Sequence, residues 1–196
     1  MPAAQSERSE RIGRSERDDL IVVGIGERRI ASPPALTVVT YALGSCVAVV
    51  AWDRKLKTGG LLHAMLPDSS IDPVKAKANP SIFVDTGVPA LLRDLLDLGS
   101  TKKQLRWCLA GGATMMAGSS HFEIGKRNYL ALKKVFWRLG VFIDQEDIGG
   151  TESRSVRLDL QTGRIDLRKA AGQEQILVPA ALSCILRSPN HANTTR

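Results

Sequence analysis

The sequence predicts an α+β domain built in layers, and three observations carry that expectation. Strand-like apolar runs fill both halves of the chain, two amphipathic helical stripes interrupt them, and the order is not the regular strand-helix alternation of a wound parallel sheet. A length of 196 residues suits one domain with tails, whose core needs no disulfide or structural metal for stability.

Residues 1–19 repeat Ser-Glu-Arg and offer almost nothing apolar to bury, so they read as a disordered polar tail. The domain is expected over residues 20–168. Leu20–Ile25 and, after Pro33-Pro34, Leu36–Leu43 are β-branched apolar runs of strand length. Gly44-Ser45 interrupts, Cys46–Trp52 is apolar throughout, and Gly60–Leu66 follows a turn at Asp53–Leu56, which together predict a hairpin. Ser69–Phe83 is polar, carries Pro73 and Pro80, and reads as a long surface loop.

A helix follows, with Val88, Leu91, Leu92, Leu95 and Leu96 on one stripe, Asp85 or Thr86 as cap, Pro89 in the first turn and Gly99 at the end. Leu105–Ala110 reads as a strand, and Gly111-Gly112 opens a loop of small residues to Ser120. A second helix over about Lys126–Leu139 buries Tyr129, Leu132, Val135, Phe136 and Leu139, with Gly140 as its stop. Strands resume near Val141. Val156, Leu158 and Leu160, then Ile165 and Leu167, alternate with polar residues around Thr162-Gly163 and predict another hairpin. Residues 169–196 form an extension with a short helix near Ala180–Leu186.

Composition narrows the function classes. With 43% apolar and 24% charged residues the chain is neither wholly disordered, collagenous nor a coiled coil. Its longest apolar run, Cys46–Trp52, is far below the ~18 residues of a spanning helix, so no membrane insertion is expected. The first nineteen residues hold no apolar stretch for secretion, and Cys46, Cys108 and Cys184 are too few and too scattered for a disulfide framework; a cytoplasmic location with free thiols is expected. Net charge is +7, and because the tail holds four Arg against five acids, the basic excess lies on the domain and extension. Such an excess suits an acidic partner or merely a solvated surface.

The chemistry centres on Cys46, directly after the Gly44-Ser45 bend between two strands. If Trp52 and Lys57 close a four-residue turn, Cys46 stands opposite His63, with Cβ atoms about 4.5–5.5 Å apart on one sheet face. A slip of one residue would instead oppose Leu62 to Cys46 and send His63 to the other face, and the turn alone does not fix this. A thiol beside an imidazolium is ionised far below its ordinary pKa of ~8.5, and the imidazole can then protonate an amine leaving group and activate water: covalent acyl transfer. Backbone N–H groups at the bend, Gly44 and Ser45 included, are candidates to hold the oxyanion. A lone Cys in an apolar run is more often a small buried hydrophobe, and His63 is ambiguous by itself.

The stretch Thr40-Tyr-Ala-Leu-Gly-Ser-Cys46, with Gly59-Gly60-Leu-Leu-His63-Ala-Met-Leu-Pro-Asp68, resembles the signature of the chemoreceptor glutamine deamidases, the CheD family. Gly111-Gly112-Ala113, Ile124–Asn128, Asp147–Thr151 and Thr162-Gly163-Arg164 resemble later blocks of that family in the same order, and the likeness extends from about Leu20 to Arg168. The resemblance implies a layered α/β/β/α sandwich and a cysteine hydrolase that turns particular glutamines of methyl-accepting chemotaxis receptors into glutamates with release of ammonia. It also allows action on receptor methyl esters. By position it implies Cys46 as nucleophile, His63 as general base and acid, and Thr40 as the third catalytic residue, holding the imidazole through its hydroxyl. Two departures stand out: Ala42 replaces a frequent Gly and would narrow the approach to Cys46, and Glu152-Ser153-Arg154 replaces a pattern containing Gly, which bears on loop shape.

Receptor segments rich in glutamate would explain the basic charge through electrostatic attraction. The family also implies a different class of function, a non-catalytic regulatory module binding a CheC-type chemotaxis phosphatase, which would tolerate loss of Cys46. Nucleic acid, suggested by charge alone, lacks any reader motif and is not expected as a partner. His121-Phe122-Glu123 has the H-x-E form of zinc deaminases without their cysteine ligands, and neither Gly24-x-Gly26 nor Gly125-Lys126-Arg127 completes a nucleotide motif, so no metal or cofactor is expected. His121 stays an alternative base, Cys108 a packed strand residue.

Overall fold

A computed structural model describes residues 20–114 and 123–180. The N-terminal tail, His121, Cys184 and all but the first residue of the helix expected at Ala180–Leu186 lie outside them. The expected α+β sandwich is the observed architecture. One sheet runs in the order β1-β3-β8-β9-β10, built from Leu20–Val22 (β1), Thr37–Leu43 (β3), Arg154–Asp159 (β8), Ile165–Lys169 (β9) and Glu174–Val178 (β10). The other runs β2-β5-β4-β6-β7, from Glu27–Ala31 (β2), Thr58–Ala64 (β5), Val47–Asp53 (β4), Leu105–Gly111 (β6) and Gln145–Ile148 (β7). Both sheets are mixed: β1 is parallel to β3 and β7 to β6, while the other pairs are antiparallel.

Two cores divide the apolar residues by strand parity. Ala48, Val50, Trp52 and Leu61 of the second sheet meet Val38, Val156, Leu158 and Leu167 of the first, between the sheets. Val47, Val49, Ala51 and Leu62 face the other way, under helices Val84–Asp97 (α2) and Ile124–Leu139 (α3). β4 is thus covered on both faces, which is why its sequence is an unbroken apolar run rather than an alternation. Among the described residues, no helix is long and apolar enough to cross a membrane.

Several features differ from expectation: Pro89 lies in the second turn of α2 rather than the first, Leu96 is exposed, and the strand expected near Val141 begins at Gln145. Ser69–Phe83 is not a loop: 3-10 turns at Ser69–Ile71 and Pro80–Ile82 flank a short helix, Pro73–Ala78 (α1). Its polar residues are caps, with Asp68, Asp72 and Asn79 each accepting a backbone N–H, and its prolines occupy first helical positions where no N–H is needed. Helix α2 begins at Val84, without a side-chain cap; Asp85 instead accepts from the backbone N–H and hydroxyl of Ser69. In α3, Leu132, Val135 and Phe136 are buried as expected, whereas Tyr129 is only half-buried and donates its hydroxyl to Glu146. Strands β2 and β10, both at sheet edges, carry too little apolar alternation to be read from the sequence.

Candidate active site

Thr40 and His63 come from different sheets and meet between them. Thr40 points inward from β3 and is fully buried; His63 points inward from β5 and is 1% exposed. The Thr40 hydroxyl donates to the carbonyl of Val23 at 2.7 Å, and its oxygen lies 2.8 Å from His63 Nδ1. A hydroxyl has one proton, and the Val23 carbonyl can only accept. Nδ1 is therefore the donor to Thr40, and the lone pair of the neutral ring sits on Nε2. His63 is further held through its backbone, whose carbonyl accepts from Gly26 N–H at 2.8 Å.

Cys46 lies on the Gly44–Cys46 bend that joins β3 to β4, half-buried at the end of the sandwich and packed against the core between the sheets. The register corrects the expected pairing. Asp53, not Trp52, closes the four-residue turn by pairing with Thr58, so Ala48 stands opposite His63. A slide of the turn by one residue moves the register by two, which preserves the face. Cys46 lies one residue before β4, two residues from the Ala48 that faces His63, and packs against the same inter-sheet core. Asp53 fixes the turn by accepting the N–H groups of Lys55 and Leu56.

The bend is tied from behind at three consecutive carbonyls. Gly44 O accepts from Ala113 N–H at 2.8 Å, Ser45 O from Asn128 Nδ2 at 2.9 Å, and Cys46 O from Gly112 N–H at 2.8 Å. In a trans peptide each carbonyl points opposite to the next residue's N–H, so the N–H groups of Ser45 and Cys46 are turned away from Ala113 and Asn128. The Gly44 N–H is used inside the bend, donating to Ala42 O at 3.0 Å. This packing requires glycine: a Cβ on Gly111 (φ 105°) would collide with Cys46 O, and one on Gly125 with Gly112 O. Buried Arg154, within the segment that departs from the family pattern, braces the same loop by donating to Gly111 O, Gly149 O and Asp147.

The electrostatics correct the expectation of a thiolate facing an imidazolium. Burial pushes the Cys46 thiol up, partly offset by its own backbone N–H, and burial pushes His63 down to about 4. Both shifts favour neutral partners at rest. Nε2 is buried and has no hydrogen-bond partner among the described residues, leaving a free base within the site. Cys108 is buried in β6, its thiol pushed up to about 12 by burial and then by Asp144 and Asp147, and it has no part in this cluster. Among the described residues no group of three or more His, Cys, Asp or Glu is arranged to hold a metal. A groove of about 490 Å³ on the outer face of the first sheet, lined by Tyr41, Arg157, Arg168 and Ile176 among others, contains none of Cys46, His63 and Thr40.

Fold and site together define a two-sheet α+β sandwich with a half-buried thiol, an oriented imidazole and a hydroxyl at one end. The family described as "CheD chemotactic sensory transduction" matches residues 65–169. A probable chemoreceptor glutamine deamidase from Solibacter usitatus is 44% identical over 160 residues, covering 82% of this chain and 94% of that protein. Similar proteins of the same description from Syntrophus aciditrophicus (43% identical; 78% of this chain, 95% of that one) and Pyrococcus abyssi (40%; 80% and 95%) match as extensively. The chain belongs to the CheD family.

Proposed function

We propose that the chain hydrolyses the side-chain amide of glutamines on methyl-accepting chemotaxis receptors, giving glutamate and ammonia by way of a thioester on Cys46. The observation that carries this reading is the Thr40–His63 hydrogen bond, which leaves Nε2 as the base in the inter-sheet core against which Cys46 packs. Cys46 Sγ attacks the amide carbon while Nε2 takes the thiol proton, so sulfur ionises in step with bond formation rather than beforehand. The N–H groups of Ser45 and Cys46, turned away from the loop behind them, hold the oxyanion. The imidazolium then gives its proton to the departing nitrogen and ammonia leaves; Nε2 next draws a proton from the water that attacks the thioester, and returns it to Cys46 Sγ as the C–S bond breaks and glutamate is released. Thr40 keeps Nδ1 protonated and the ring in place throughout.

No step requires a metal or cofactor. The reaction belongs to the cytoplasmic side, where thiols stay reduced. Cys46→Ala should abolish ammonia release from receptor protein, a loss of at least about 10³-fold, while leaving receptor binding intact; release at the wild-type rate would refute the mechanism. The other reading, a non-catalytic module for a CheC-type phosphatase, gives the oriented imidazole and the half-buried thiol no task. The same assay separates the two.

A further inference from the structure

Asn128 lies in the first turns of α3, fully buried, and closes the Ile124–Asn128 block, to which the sequence attaches no task. Its carboxamide Nδ2 donates to two backbone carbonyls at once: Ser45 O at 2.9 Å and Met65 O at 3.0 Å. Ser45 immediately precedes the thiol, and Met65 lies two residues beyond His63, just past the end of β5. One side chain therefore spans the two backbone segments that carry the nucleophile and the base. The orientation of the amide is unambiguous, because a flipped amide would set Oδ1 against two carbonyls. Among the described residues Oδ1 is buried without a hydrogen-bond partner, and Nδ2 faces both acceptors.

β4 and β5 are already paired from Val47–Ala64 onward, so the sheet does not need this clamp for its ladder. What lies beyond the last pair is the bend itself, and there Asn128 supplies the cross-link. We propose that Asn128 is a positioning residue for deamidation, holding the Cys46 bend at a fixed distance and angle from the strand end that carries His63. The inference rests on the reading of Cys46 and His63 as the reacting pair. Transfer of the proton needs thiol and imidazole within hydrogen-bond reach when the amide is seated, so a small drift of the bend is costly in rate.

The test uses the full chain with receptor protein as substrate. Asn128→Asp keeps the shape but, as a carboxylate, has no donor; Asn128→Ser keeps one donor on a shorter arm. The expected result is a fall in kcat of about 10²-fold for the aspartate variant and less for the serine variant, with KM within about twofold of wild type and unchanged far-UV circular dichroism. The pH profile of Cys46 alkylation by iodoacetamide should also shift in Asn128→Asp and not shift further when His63→Ala is added. Wild-type kcat in both folded variants, with Cys46→Ala inactive, would overturn the positioning role and leave the deamidase reading standing. Activity in Cys46→Ala would instead remove the reading beneath it. Failure of both Asn128 variants to fold would overturn the proposal in favour of a purely structural role.

Discussion

The hydroxyl of Thr40 decides which nitrogen of His63 is basic, because it spends its only proton on Val23 O and must accept from Nδ1. Nothing in the spacing of Thr40, Cys46 and His63 discloses this; Thr40 took a role only through family resemblance, since the contact joins two sheets across the sandwich. Whether thiol and imidazole share a face was left open by the sequence, because the unbroken apolar run of Cys46–Trp52 has no alternation to fix the register. Their ionisation was not legible either, because it depends on burial that a strand pattern does not measure. The depressed His63 pKa has a consequence for stability. Between an unfolded value near 6.5 and a folded value of about 4, the unfolded chain binds the proton and the folded one does not. Stability is therefore full above about pH 6.5 and is lost as pH falls toward 4, by at most about 3 kcal/mol. Denaturant titrations across that window should show the loss, and His63→Gln should remove this part of the slope. An unchanged slope would mean that the ring is protonated in the folded protein.

At the scale of elements, β3 carries a bulge between Thr40 and the Cys46 bend. Pairing with β8 shifts register between Thr40 and Leu43, and Ala42 takes a positive φ of 55° within it. That conformation is unfavourable for an L-residue by about 1–2 kcal/mol and favours glycine. Ala42→Gly should raise stability by about 1 kcal/mol, read as a higher denaturation midpoint; a lower midpoint would show that the alanine methyl is held by compensating contacts. Hairpin β8–β9 and helices α2 and α3 were legible because each has an apolar face of its own. The β4–β5 register was not, since a four-residue turn fits at either of two adjacent positions. Asp53 and the positive φ of Lys57 select one of them. The helical turns of Ser69–Phe83 went unread because their capping Asp and Asn residues and their prolines are also the residues of loops.

Over the whole molecule, the net charge of +7 favours attraction to acidic surfaces. Electrostatic attraction of that kind is screened by salt, so raising ionic strength from about 0.05 to 0.5 M should weaken receptor binding several-fold; binding indifferent to salt would detach the charge from the substrate. The fold class was legible because its two cores follow from strand parity and helical stripes. The clamp by Asn128 and the backward ties of the bend were not, because they join residues far apart in sequence through backbone carbonyls that leave no pattern. Covalent hydrolysis at Cys46 is the step on which the proposed function rests. Mass spectrometry of receptor protein after incubation with the wild-type chain should show particular glutamines gaining about one dalton, with no gain after incubation with Cys46→Ala. The same gain with both proteins, or with neither, would contradict it.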